Sequence, residues 1–112
     1  MNDIERKRVY GLIGLCAKAG KIRSGEFSTE KSVKSGKAKL VIVANDASDK
    51  TKKRFSDMAG FRKIPFNSEL CDKDTLGHII GREFRASLAV EDAGLAKNIL
   101  SLIDGGNENG NR

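Results

Sequence analysis

KIRSGEFSTEKSVKSGKAKLVIVAND, residues 21–46, sets a short helix directly before a wholly apolar strand. The helix reads from about Gly25 to Ser35, with Ser24 placed to cap it and Gly36 just past its end. Leu40-Val41-Ile42-Val43-Ala44 is a continuous apolar run with a β-branched centre, the pattern of a central strand covered on both faces. A helix start presents unpaired backbone N–H groups and the positive end of its dipole, a natural seat for a phosphate or a base edge. Lys18, Lys21, Arg23, Lys31, Lys34, Lys37 and Lys39 crowd around this one. That setting favours an RNA-binding surface over a catalytic one.

Outward from this stretch, helices and strands alternate. Upstream, Val9, Leu12, Ile13, Cys16 and Ala17 follow the i, i+3, i+4 spacing of a helix stripe that Gly20 can end. Downstream, Asn45 and Asp46 turn the chain into a helix over residues 48–59. Thr51, Phe55, Met58 and Ala59 form its inner face, Lys50, Lys52, Lys53 and Arg54 lie outside, and Gly60 stops it. Ile64-Pro65-Phe66 reads as a short strand, placed at a sheet edge by its proline. Asp72 can cap a helix with Leu76, Ile79 and Ile80 inward and Gly81 at its end. Residues 86–90 form another buried strand, and Leu95, Ile99, Leu102 and Ile103 stripe a last helix. The alternation predicts an α/β fold, a three-layer α/β/α sandwich with a small mixed sheet and at least partly parallel pairing. Residues 1–103 read as one domain and residues 104–112, which carry no apolar side chain, as a frayed tail.

Composition narrows the function classes. A chain of 112 residues with 38% hydrophobic content supports one modest core. Its apolar runs are too short to span a bilayer, and no signal peptide is legible at the N-terminus. Cys16 and Cys71 form no CxxC and have no cluster of histidines, so two reduced buried thiols are expected in a cytoplasmic protein, with no metal and no cofactor. Residues 1–63 hold 16 basic and 7 acidic residues, a balance of +9, whereas residues 64–112 hold 5 and 8, a balance of −3. That asymmetry fits one electropositive face for a polyanion, although a merely solvated surface fits the charge alone equally well. A membrane surface is the weaker partner, since no basic helix has a strongly apolar, aromatic opposite face.

An enzyme has little to stand on. His78 is the only histidine and sits in mid-helix, and Cys71 has neither a base at a fixed spacing nor a third orienting group. The loop SGEFS is neither a GxxxxGK[ST] cradle nor a GxGxxG turn. Asp46 and Asp49 follow a strand and could hold a metal, but they fit better as turn and first-turn acids of a helix.

Four blocks, LIGLCAKAGKIRSGE (12–26), KSGKAKLVIVANDAS (34–48), TLGHIIGREFR (75–85) and LAVEDAGLAKNI (88–99), carry a family likeness at matching separations. The chain resembles the kink-turn RNA-binding superfamily of ribosomal proteins, most closely its small bacterial YlxQ-type members. The resemblance implies a small α/β/α sandwich that binds structured RNA, typically a sharply bent internal loop with tandem G·A pairs, within ribosomes or other ribonucleoproteins. It also implies a non-catalytic role, with rRNA or another kink-turn RNA as partner.

In that family the RNA-reading helix begins with a Gly, followed by an Asn-Glu pair and then a Lys. Aligned on the GKAKLV block, the Gly is Gly25 and the Lys is Lys31, while Phe27 and Ser28 stand where the Asn-Glu pair would be. Phe cannot hydrogen-bond a purine edge and Ser reaches less far, which puts the G·A-specific contact in question. Phe27 has two open roles: stacking on an unpaired base, or turning inward as the helix's first apolar residue, which burial statistics favour. Lys73 matches a lysine that sits just before the fourth helix and pairs with phosphate. The loop Gly81–Ala86 matches one that supplies basic and apolar contacts. There Arg82 and Arg85 flank Phe84, a set suited to phosphate and to base stacking.

Two readings therefore stand side by side. RNA binding predicts that Gly25, Lys31, Lys73, Arg82 and Arg85 gather on one electropositive face, in a monomer. A small protein-interaction adaptor of the same fold predicts an exposed apolar patch elsewhere and scattered charges.

Overall fold

The computed structural model describes residues 1–105. Their order is α1 (Asp3–Lys18), β1 (Ile22–Ser24), α2 (Glu26–Lys34), β2 (Leu40–Val43), α3 (Asp49–Phe61), β3 (Phe66–Asn67), α4 (Lys73–Ile79), β4 (Ser87–Val90) and α5 (Ala93–Gly105). Side-chain caps begin most of the helices. The Asn2 side chain accepts from the Glu5 amide while the Glu5 carboxylate accepts from the Asn2 amide, a reciprocal box that starts α1. Ser48, Asp72 and Asp92 cap α3, α4 and α5 by accepting from Thr51, Thr75 and Leu95.

The strands form one mixed sheet in the order β1-β4-β2-β3. β4 is antiparallel to both β1 and β2, and the β2–β3 pair alone is parallel. β2 and β4 are buried along their whole length, and their alternating side chains feed two cores. Leu40, Ile42, Leu88 and Val90 pack with Val9, Ile13 and Cys16 of α1, Leu76 of α4 and Ile99 of α5. Val41, Val43 and Ala89 pack with Val33 of α2 and with Phe55 and Ala59 of α3. The outcome is the three-layer α/β/α sandwich: α1, α4 and α5 on one face, α2 and α3 on the other. Each fully buried Leu, Ile, Val or Phe contributes about 1.5–3 kcal/mol relative to exposure.

Several boundaries differ from expectation. The strand expected at residues 64–66 begins at Phe66, because Pro65 has no amide to give; its carbonyl instead accepts from the Val41 amide at 2.9 Å. α3 runs past Gly60 to Phe61, and Lys63, at φ 58°, makes the reversal that Gly60 was expected to make. β1 has no counterpart in the expected elements. α5 includes residues 104 and 105 of the expected tail, and residues 106–112 of that tail lie outside the described residues.

Candidate nucleic-acid interface

α2 begins without a side-chain cap. Its N-cap is Gly25, at φ 90° and ψ 162°, a conformation that a side chain strongly disfavours. Ser24, expected to cap, is instead held in β1 by its pairing with Leu88, so its hydroxyl does not turn back over the helix. The first amides of α2 are thus left without a side-chain partner at the positive end of the helix. Three contacts lay α2 along β4 in the same direction. The Gly25 amide donates to the Ser87 carbonyl (3.0 Å), the Ser87 hydroxyl to Thr29 Oγ1 (3.1 Å), and the Ser32 hydroxyl to Glu91 Oε2 (2.6 Å).

The loop Gly81–Ala86 folds back over α4 toward this helix start. The Arg82 amide donates to the Gly77 carbonyl (2.9 Å) and the Arg85 amide to the Lys73 carbonyl (3.1 Å). Gly77 permits the approach, since a Cβ there would lie 1.9 Å from the Glu83 carbonyl oxygen. From this loop Arg85 Nε reaches the Ser24 hydroxyl at 3.2 Å. Phe84 stands 62% exposed, with the Lys73 ammonium 6.0 Å from its ring centre. Lys73 is the first residue of α4 rather than the residue before it, and its amide donates to Asp46 Oδ1 at 3.0 Å.

Contacts therefore join Ser24, Gly25, Arg85, Phe84 and Lys73 into one surface. Phe27, Ser28 and Lys31 continue it along α2, where they line a common groove. Arg82 is exposed on the loop. Among the described residues, Lys31, Lys73, Arg82 and Arg85 form no ion pair. Phe27 corrects the expectation drawn from burial statistics: it is 78% exposed, and the inward positions of α2 are taken by Thr29, Ser32 and Val33.

Two acids near the helix start are answered by cations that the sequence did not single out for this task. Arg54, expected on the outer side of its helix, reaches across from α3 to pair with both Glu26 and Glu30. Lys34 pairs with Glu30 at 2.6 Å, and this hydrogen bond is the leading reason the Glu30 carboxyl is held below its ordinary range. Arg54 thus braces α2 through its acids, and Gly77 lets the 81–86 loop lie against α4. The glycine in mid-helix was a visible hint, whereas nothing in the sequence distinguished Arg54 from its basic neighbours.

The same geometry bears on the other readings. Burial pushes the Cys71 thiol up to about 11, so it is protonated near neutrality, and His78 lies exposed on α4. Asp46 serves the start of α4, and Asp49 lies in the first turn of α3. Among the described residues no group of three or more His, Cys, Asp or Glu could hold a metal ion, and no helix is long and apolar enough to cross a membrane. Besides Phe27 and Phe84, the exposed large apolar side chains among the described residues are Met1 just before α1, Ile4 and Leu15 on α1, and Phe61 on α3, and α1 and α3 lie on opposite faces of the sheet.

Uncapped helix start, basic loop and α/β/α scaffold together define a class. Residues 7–100 match the Ribosomal protein L7Ae/L30e/S12e/Gadd45 family, and the chain belongs to it. Among its relatives, the RNA-binding protein YlxQ of Enterococcus faecium is 38% identical over 105 residues, spanning 94% of this chain and 100% of that protein. The RNA-binding protein YlxQ of Bacillus subtilis (strain 168) is 37% identical over 95 residues, 85% of this chain and 94% of that one. The solved structure of a protein with unknown function from Bacillus halodurans C superposes with a TM-score of 0.81 at 35% identity, covering 86% of this chain and 96% of that one.

Proposed function

We propose that this protein binds structured RNA without catalysing a reaction, taking a kink-turn-like or rRNA element in association with the cytoplasmic ribosome. The observation that carries the reading is the hydrogen bond from Arg85 to Ser24, which sets the basic 81–86 loop against the uncapped start of α2. Backbone donors at that start suit a phosphate or a base edge, and Lys31, Lys73, Arg82 and Arg85 supply countercharge. The ribosomal family and the relatives described as RNA-binding proteins support the same partner.

Phe27 and Ser28 stand where base-reading Asn and Glu occur in kink-turn binders. Recognition here accordingly depends more on backbone shape and charge than on G·A edges. The chain acts as a monomer, because its helix stripes are used up on one sheet. The test is equilibrium binding to a kink-turn RNA, to the same RNA with its G·A pairs replaced by Watson–Crick pairs, and to a matched straight duplex. Preference for the bent RNA is expected. Equal, weak binding to all three would overturn the reading.

A further inference from the structure

Phe27 is an aromatic side chain left 78% exposed, on the outer side of a helix whose inward positions are held by Thr29, Ser32 and Val33. It lines a groove of about 330 Å³ between α2 and the edge strand β1, together with Arg23, Ser28, Lys31, Lys37 and Glu91. Because α2 runs alongside β4, this groove leads from the helix start toward the far end of the sheet, away from the 81–86 loop. From Phe27 to the end of α2 is roughly 10 Å at the rise of an α-helix.

The groove is cationic in spite of its one acid. Both oxygens of Glu91 are occupied: Oε2 accepts from the Ser32 hydroxyl at 2.6 Å, and Oε1 lies 3.5 Å from Arg23. The Glu91 side chain is only 9% exposed. Lys31 and Lys37 are left as exposed charges in the groove lining, which Phe27 and the half-buried Ser28 share. An exposed aromatic with flanking cations and a hydroxyl is the arrangement that holds a single-stranded nucleotide: a π-face for the base, charge for the phosphates, a hydroxyl for the sugar. The volume lies at the lower end of the range for small-ligand sites, about 300–1,000 Å³, and so fits one nucleotide rather than a duplex.

We propose that the α2–β1 groove is a subsite for an unpaired ribonucleotide, with its base stacked on Phe27 and its phosphates on Lys31 and Lys37. This rests on the RNA-binding reading above and extends it to a strand that leaves the structured element. The substitution of Phe for a polar base-reader then has a purpose: edge recognition is exchanged for stacking, which tolerates any base.

The test titrates the full-length protein with tetrauridylate and with a tetramer of the same backbone lacking bases, followed by NMR. Binding of the structured RNA is measured on the same preparation. Tetrauridylate is expected to shift the Phe27 ring and Lys37 amide signals, and to bind about tenfold more tightly than the base-less tetramer. Phe27→Leu and Lys37→Glu, both at exposed positions, are expected to weaken tetrauridylate binding, with Phe27→Leu erasing the preference for bases. Equal affinity for the two tetramers would overturn the subsite. Shifts confined to Gly25 and residues 81–86 would also overturn it, while leaving the function proposed above intact. Absence of any structured-RNA binding in the parallel measurement would instead remove that function, and the RNA assignment of the groove with it.

Discussion

Arg85 Nε donates to Ser24 Oγ across 3.2 Å, joining two segments that are 61 residues apart in the chain. Ser24 is fixed by the β1–β4 pairing and Arg85 by the hydrogen bond its backbone amide donates to the Lys73 carbonyl. A guanidinium held at both its backbone and its Nε loses little further freedom on meeting a phosphate, which is the advantage of preorganisation.

Lys31→Ala and Arg85→Ala are therefore expected to weaken structured-RNA binding roughly uniformly across sequences. Each neutralised phosphate steepens the salt dependence, so the slope of log affinity against log salt is expected to fall by about one for each substitution. Binding isotherms over a salt series check this. A double variant with full affinity and an unchanged slope would remove both residues from the interface.

Gly77→Ala tests whether the loop must lie against α4. The added Cβ would meet the Glu83 carbonyl oxygen at 1.9 Å and the Phe84 Cα at 2.8 Å, both backbone atoms that cannot rotate aside. The loop must shift, at a cost of about 1–3 kcal/mol in stability by analogy with overpacked cores. A lower urea midpoint and a loss of RNA affinity are expected together. Unchanged affinity would show that the loop position matters less than the geometry implies.

Much of the scaffold was legible because burial on both faces leaves an unambiguous mark. The Leu40–Ala44 run could only be a central strand, and its even and odd residues do feed separate cores. Helix stripes in α1 and α3 and the glycines past α1, α2 and α4 were read for similar reasons. What escaped was everything decided by distant partners. Ile22–Ser24 is three residues long with one apolar side chain, and it is a strand only because Val90, Ala89 and Leu88 lie opposite. That pairing is also what takes Ser24 from the helix cap. Phe27 was misjudged because propensity scales assign an aromatic to the interior, whereas Thr29, Ser32 and Val33 already fill the inner face of α2. The surface proposed for RNA was placed from charge and glycine positions alone. The roles of Arg54 and Gly77 needed coordinates.

Gly25→Ala isolates the backbone strain at the head of α2. No heavy atom lies within 4 Å of the point where the added methyl would sit, so crowding contributes nothing and only the φ of 90° opposes the change. A non-glycine residue in such a region costs of order 1–3 kcal/mol. Urea unfolding is expected to show a lower midpoint with an unchanged m-value. If stability stays at the wild-type level, the helix start relaxes without strain.

Cys16 and Cys71 offer a probe of the core. Both thiols are free and buried, and desolvation pushes each up to about 11, with Asp92 adding to the effect at Cys16 and Asp72 at Cys71. At pH 8 the thiolate is then a fraction on the order of one in a thousand, and reagents are excluded as well. Labelling by a disulfide reagent is expected to be slow in the native protein and to follow global unfolding as urea is added. Fast labelling of either cysteine at zero urea would mean that its layer opens locally.

Acid should weaken the fold through Asp72 and Glu30. The Asp72 carboxyl is held below its ordinary 3.8, first by the Thr75 amide it accepts from, and Glu30 is held below 4.5, first by Lys34. A folded value below the unfolded one means that the ionised form favours the native state. The contribution is complete above the unfolded value and disappears as pH falls through the folded one. Asp72→Asn keeps the cap acceptor and removes the titration, so it should fold nearly as well as wild type at pH 7 while losing less stability between pH 4 and 3. Glu30→Gln should flatten the same decline from a lower starting point, because Arg54 and Lys34 lose a charged partner. Urea midpoints from pH 7 to 3 would decide. Parallel pH curves for wild type and both variants would place the acid-sensitive groups elsewhere.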